Sequence, residues 1–268
     1  MKFKNCNVLI TGGASGIGKI MGRMALEKGA ANLVIWDINQ NGLDAVCSEY
    51  APLGKVFGIK VDVSNPESID AAYEATIGYC GKIDILLNNA GIVVGNNTFD
   101  KQTDSAIIRT MNINATAPML VALRFLPAMI ERNSGHICNI ASAAGMLGVP
   151  RLSVYCASKW AVVGWSESTQ VELKMAKSKV KMTTIAPFFI STGMFNGVKS
   201  WLVPIRKPEQ TAERIIRAIE KDRKFCGIPF GFHFTRFLQG ILPYSLFDSI
   251  LGNGMGFYKS MDNFTGRQ

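Results

Sequence analysis

The stretch Val8-Leu9-Ile10-Thr11-Gly12-Gly13-Ala14-Ser15-Gly16-Ile17-Gly18 decides the fold. Three apolar residues read as a buried strand. A glycine-rich turn follows, and a helix is expected from about Gly16 to Lys28. Small residues in such a turn let the backbone approach a pyrophosphate closely, and the helix N-terminus adds N–H groups and a favourable dipole. A glycine cluster alone is only a tight turn. Its place on the first strand-to-helix junction makes Thr11, Gly12, Ser15, Gly16, Ile17 and Gly18 a dinucleotide cradle.

Outward from this turn, short apolar runs alternate with amphipathic ones. Leu33–Trp36, Val56–Val61, Ile83–Leu87, Ile137–Ile140 and Val180–Ile185 read as strands, the last ending at Pro187. Helices are expected over Asn41–Tyr50, from Pro66 to about Tyr79, over a long stretch from Thr103 to Glu131, and over Leu152–Lys177. This alternation predicts an α/β fold: one domain with a doubly wound, Rossmann-type parallel sheet and helices on both faces. From Phe225 onward, Phe, Gly, Leu and Pro break the alternation. Residues 1–229 are therefore expected to bind the dinucleotide and do the chemistry. Residues 230–268 form an apolar extension packed on the same domain, serving as lid, subunit contact or surface anchor.

Composition narrows the class. The 268 residues are 48% apolar and 18% charged, which excludes a disordered chain. The formal charge of +9 raises nucleic acid as a partner, but the Lys and Arg residues are scattered without interleaved aromatics, so none is expected. Six cysteines form no CxxC pair and no disulfide framework, which points to free thiols in a reducing compartment, the cytoplasm. His136 and His233 lie near no cysteine cluster, so no metal is expected. The few residues before Val8 leave no room for a signal peptide, and no run of about 18 uninterrupted apolar residues suggests a membrane span.

Asp37 ends the second strand, where a carboxylate accepts hydrogen bonds from the adenosine ribose and repels a 2′-phosphate. No Lys or Arg follows in Ile38-Asn39-Gln40, and Ala14 and Ser15 bring no charge, so NAD(H) is expected over NADP(H). Asp62-Val63 ends the third strand, where the acid either meets the adenine amine or caps a turn. Asn88-Asn89-Ala90-Gly91 offers a small backbone run beside the cofactor.

Tyr155-Cys156-Ala157-Ser158-Lys159 carries the chemistry. Positions four apart share a helix face, so Tyr155 and Lys159 enter one space. A free tyrosine titrates near about 10. A neighbouring ammonium and an oxidised nicotinamide ring favour the phenolate and bring that value toward neutrality. Ser142, at the end of the preceding strand, is placed to bind the substrate oxygen. Asn114 sits mid-helix, where an amide is disfavoured, and is suited to hold a water that relays protons to Lys159. His136 reads as a strand-entry residue.

In this order, Thr11-Gly12-x-x-x-Gly16-x-Gly18, Asn88-Asn89-Ala90-Gly91, Asn114, Ser142 and Tyr155-x-x-x-Lys159 resemble a classical short-chain dehydrogenase/reductase from about Asn5 to Pro229. The resemblance implies a Rossmann-type fold, a nicotinamide cofactor and alcohol–carbonyl interconversion. It puts the catalytic set on Asn114, Ser142, Tyr155 and Lys159, with Asn114 preferred to Asn112. Cofactor contacts fall on the glycine turn, Asp37, Ile38, Asp62, Val63, Asn89, Ala90, Gly91, Tyr155, Lys159, Pro187, Ile190 and Thr192. It also implies a homodimer or homotetramer built through the two long helices. One departure stands out: Phe188 follows Pro187 where the family usually has Gly, and it is expected to crowd the nicotinamide or shape the substrate pocket. The ending Gly256–Arg267 is similar to enzymes grouped with retinol and hydroxysteroid dehydrogenases, which implies a bulky apolar substrate.

Two other functions compete. A reductase of acyl-carrier-linked 3-oxo chains would use NADPH, which Asp37 disfavours. A non-catalytic NAD-binding redox sensor would not need the intact Asn/Ser/Tyr/Lys set. Peripheral membrane contact through Phe230, Phe232, Phe234, Phe237, Leu238, Ile241 and Leu242 is a further reading, less favoured than a lid or subunit contact.

Overall fold

The computed structural model describes residues 1–198, 205–254, 258, 261, 262 and 264–266. Its centre is a seven-stranded sheet in the order β3-β2-β1-β4-β5-β6-β7, every pairing parallel. The strands are β1 (Asn7–Thr11), β2 (Asn32–Asp37), β3 (Lys55–Lys60), β4 (Ile85–Asn88), β5 (His136–Ile140), β6 (Lys181–Pro187) and β7 (Phe225–Ile228).

Strand periodicity explains the two-faced core. Side chains alternate across a sheet, so Val8, Ile10, Leu33 and Ile35 pack on one face while Leu9, Val34 and Trp36 pack on the other. The first face is covered by α1 (Gly16–Glu27), α2 (Gln40–Tyr50) and α7 (Pro208–Glu220) through Met21, Leu43 and Ile215. The second is covered by α3 (Pro66–Cys80), α5 (Ala117–Glu131) and α6 (Ser153–Met175) through Ile69, Val121 and Leu173. Because both faces are buried, the strands read as continuous apolar runs. The strand order reverses between β1 and β4, which opens a crevice at their carboxyl ends.

Three departures from the sequence reading have physical causes. The sheet continues through β7, which the reading placed in the irregular tail. Only four residues long and followed by Pro229, β7 gives little periodic signal, and its pairing with β6 is tertiary. Helix α7, absent from the sequence reading, buries Ala212, Ile215, Ile216 and Ile219 at a helical period. The long helix is also not uniform: α4 (Asp104–Met111) passes into a π-helical segment over Asn112–Thr116 before α5. Among the described residues, Asp104–Glu131 is long and apolar enough by length and composition to cross a membrane. Arg124 interrupts its apolar run, and Val121, Ala122, Phe125 and Met129 are buried in the core of this fold.

Beyond β7 lie a short turn of helix (Phe230–Phe234), α8 (Thr235–Ile241) and α9 (Tyr244–Ser249). Phe232, Phe247 and Met261 join Leu147, Tyr155, Phe188 and Phe189 in a third apolar cluster. Of the ending compared above, Gly256, Phe257, Lys259, Ser260, Asn263 and Arg267 lie outside the described residues.

Candidate active site

The glycine turn is shaped by close approach. A Cβ on Gly12 would lie 2.9 Å from the Ala90 Cα, and one on Gly18 would lie 2.3 Å from the Gly12 carbonyl oxygen. Gly12 and Gly16 also have positive φ, +65° and +57°, which favour glycine. The turn is tied to the end of β4: Asn89 Nδ2 donates to the carbonyls of Thr11 and Gly12, and Thr11 Oγ1 accepts from the N–H groups of Asn89 and Ala90.

A cavity of about 300 Å³ runs over the carboxyl ends of the strands. Gly12, Ser15, Gly16, Ile17, Asp37, Ile38, Asp62, Val63, Asn89, Ala90 and Gly91 line one part of it. Ser142, Tyr155, Lys159, Pro187, Ile190 and Thr192 line the rest with Leu147, Val149, Leu152, Phe188, Phe189 and Phe195. Three expected residues do not line it. Thr11 and Gly18 hold the turn together, and Asn114 stands behind the wall.

These residues fit a dinucleotide. The turn presents backbone without side-chain bulk, and the first turn of α1 holds no acidic residue to repel a phosphate. Asp37 accepts from the N–H groups of Ala14 and Asn39, at 3.0 and 3.1 Å, and keeps further acceptor capacity on the cavity side. Asp62 Oδ1 accepts from the N–H and hydroxyl of Ser64, while Asp62 and Val63 both line the wall, so both readings of the acid stand. Sequence reasoning missed Arg109 and Ile113, which line the cavity from one side of the long helix. Their spacing of four was the available signal.

Buried polar contacts place the chemical end. Asn88 Nδ2 donates to Asn139 Oδ1 and Asn139 Nδ2 to Ser166 Oγ, both at 2.9 Å, which locks α6 to β4 and β5. A Cβ on Gly145 would lie 2.7 Å from the Lys159 carbonyl oxygen, so only glycine lets the loop after β5 lie flat on α6. That contact brings Ser142, which caps the loop's short turn, to hydrogen-bonding reach of Tyr155.

Lys159 is buried, donates to the Ile140 carbonyl at 2.9 Å, and has its Nζ 5.7 Å from the centre of the Tyr155 ring. Burial lowers the Lys159 pKa to about 8, so the ammonium persists at neutral pH. For Tyr155 the expected lowering rests on the nicotinamide ring as well as on Lys159, and the protein's own groups act against it. Burial pushes its pKa well above the ordinary value, and the hydrogen bond from Ser142 only partly opposes this. The lysine ammonium is spent on a carbonyl and faces the ring rather than outweighing desolvation. Asn114, in the π-helical segment, donates to the Ile92 carbonyl and accepts from the Ile92 N–H, both at 2.8 Å, and reaches Ser158 Oγ at 3.3 Å. It pins the loop after β4, with one acceptor position on Oδ1 left over.

The Phe188 N–H donates to the Ile228 carbonyl at 2.8 Å. Its ring stacks on Phe232 at 5.4 Å and leans on Phe189 at 4.6 Å. Phe195 stands edge-on to Tyr155 at 5.9 Å. The substrate end is therefore aromatic and apolar.

A family model described as short chain dehydrogenase matches residues 6–203. The chain is 36% identical to mouse epidermal retinol dehydrogenase 2, covering 97% of this chain and 85% of that protein. It is 37% identical to human estradiol 17-beta-dehydrogenase 11, covering 88% and 79%. A Burkholderia phymatum short chain dehydrogenase/reductase solved with NAD superposes with a TM-score of 0.81 at 24% identity, covering 90% and 95% of the two chains. Levodione reductase superposes at 0.76 with 26% identity, covering 86% and 98%. The motifs, the sheet order and these matches agree: the chain belongs to the short-chain dehydrogenase family.

Proposed function

We propose that the protein interconverts a bulky apolar alcohol and its carbonyl compound with NAD(H), using Tyr155 as general acid/base. One observation carries this reading: a single cavity joins the glycine turn and Asp37 to Ser142, Tyr155 and Lys159. The apolar substrate end and the likeness to retinol and estradiol dehydrogenases support a retinoid-, steroid- or long-chain-type substrate.

The substrate oxygen binds between Ser142 Oγ and Tyr155 Oη. Ser142 donates to it and so stabilises the charge that develops there. Tyr155 takes the hydroxyl proton in oxidation and returns it in reduction. Its raised pKa keeps the phenol neutral, the form needed to donate. When bound, the nicotinamide supplies the hydride acceptor or donor, and its oxidised ring adds the positive charge that oxidation requires. Lys159 holds the nicotinamide ribose and adds its own charge. Asn114 keeps the loop after β4 in place and uses its remaining acceptor position for the relay water.

Residues 1–229 do the chemistry in this proposal, and Phe232 of the extension backs the substrate end through Phe188. The six free cysteines support a cytoplasmic location. Exposed Leu123, Ile130, Val171 and Met175 on α5 and α6 support a homodimer or homotetramer through those helices, which sedimentation velocity tests. The exposed stripe Phe230, Phe234, Phe237 and Ile241 keeps peripheral membrane contact as a lesser reading. Co-sedimentation with liposomes decides it.

The main test is a panel of steroids, retinoids, long-chain alcohols and sugars with NAD⁺ and NADP⁺. Turnover of the apolar members with NAD⁺ is expected. Turnover of acyl-linked 3-oxo chains with NADPH, assayed beside this panel and exceeding it, would install the acyl-carrier reductase instead. NADH binding without turnover of any member would make the protein a redox sensor.

A further inference from the structure

A second cavity, of about 360 Å³, lies directly behind the first, between the loop after β5 and helices α8 and α9. The two cavities meet at the strip Met146–Val149, where Leu147 is the residue common to both. Leu147 and Val149 line the first cavity, Met146 and Gly148 line the second, and Leu147 lines both. Gln239 of α8 donates to the Met146 carbonyl at 2.7 Å, which fixes the tail against this strip. Trp160, Leu242 and Phe247 make the far cavity largely apolar, and the Tyr258 hydroxyl bonded to Asp248 gives it one polar end.

The first cavity is small for its task. Residues suited to the dinucleotide line much of its length, so its apolar end receives only the reacting part of a large molecule. We propose that the second cavity is the distal half of the substrate site. In it, the far end of an elongated apolar alcohol or ketone, of fused-ring or polyene length, passes the Leu147 side chain and lies between Trp160 and Phe247. The inference rests on the alcohol–carbonyl reading for its kinetic arm only.

Gly148 permits a test away from the chemistry. It lines only the second cavity, its φ is not positive, and a Cβ there would meet nothing within 4 Å. Gly148 is itself exposed, so Gly148→Phe narrows the second cavity from its rim without touching the catalytic groups. With NAD⁺ saturating, kcat/KM for butan-2-ol is expected to stay within about twofold. For all-trans-retinol or hexadecan-2-ol it is expected to fall about tenfold or more, through KM. Leu147→Ala trims the residue common to both cavities and is expected to raise the long-to-short ratio about threefold or more. Gly148→Leu is the reserve variant, and an unchanged Kd for NADH verifies the fold in each case.

A second arm does not depend on turnover: quenching of tryptophan fluorescence by all-trans-retinol in the NADH-loaded protein, with Trp160→Phe locating the signal. The Kd for retinol is expected to weaken about tenfold in Gly148→Phe. Equal retinol affinity in wild type and Gly148→Phe overturns the proposal. So does a loss of retinol binding that leaves long-alcohol turnover untouched, because the cavity then holds a separate ligand. A wild type that oxidises none of these alcohols defeats the proposed reaction, while the binding arm still decides the cavity.

Discussion

Tyr155 is a base or acid only in company, because the protein around it drives its proton on rather than off. Replacing it with Phe removes the proton carrier and leaves the cavity shape. Turnover is expected to fall about 10²–10⁴-fold, with NADH affinity retained, as stopped-flow kinetics and equilibrium titration would measure. Asp37 is proposed to act at the other end by charge. Asp37→Ser removes the carboxylate that repels a 2′-phosphate, so the ratio of kcat/KM for NAD⁺ over NADP⁺ should shrink about tenfold or more. An unchanged ratio would remove Asp37 from cofactor selection. The positions of both residues were legible in the sequence, Tyr155 from its spacing to Lys159 and Asp37 from its place at a strand end. The direction of the tyrosine pKa was not, because desolvation depends on what is packed around a group.

At the scale of elements, catalytic spacing depends on how closely the loop after β5 lies on α6. Gly145→Ala puts a methyl 2.7 Å from the Lys159 carbonyl oxygen. The crowding should cost about 1–3 kcal/mol of stability and draw Ser142 away from Tyr155. The check is chemical denaturation together with kcat for the preferred alcohol; a variant as stable and active as wild type would show that the contact relaxes freely. The sequence pointed to Ser142 by its position after a strand, yet Gly145 passed unremarked. Its importance lies in a carbonyl fourteen residues on, and no local pattern reports that. Asn114 is similar: an amide in a helix signalled a special role, and the π-helical segment that turns it toward Ile92 came from the fold.

For the molecule as a whole, acid stability should be governed in part by His136, buried at the amino ends of the strands. Its Nε2 meets Thr183 Oγ1 at 2.8 Å, and its Nδ1 faces Asp222 at 3.5 Å, beyond a good hydrogen bond. Burial and the Met1 ammonium lower its pKa to about 4, with the Asp222 carboxylate opposing and Lys181 assisting. The folded state therefore refuses a proton that the unfolded chain accepts below about 6.5. Stability contributed by the neutral ring is complete above that pH and is lost as pH falls toward 4. Wild type should lose roughly 3 kcal/mol more than His136→Gln across that window, as urea titrations at each pH would show. Equal losses would mean that the ring is protonated in the folded protein.

The sequence by itself determined the alternation of strands and helices from β1 to β6, the glycine turn, the place of Asp37 at the second strand end and the spacing of Ser142, Tyr155 and Lys159. Those features are carried by short-range spacing and local backbone chemistry. Only the tertiary structure decided that four residues after α7 complete the sheet, and that Phe188 answers to Phe232 in the tail. It also decided that two cavities meet at Leu147. These outcomes depend on which distant surfaces meet, and contact between residues far apart in the chain leaves no periodic trace in either partner.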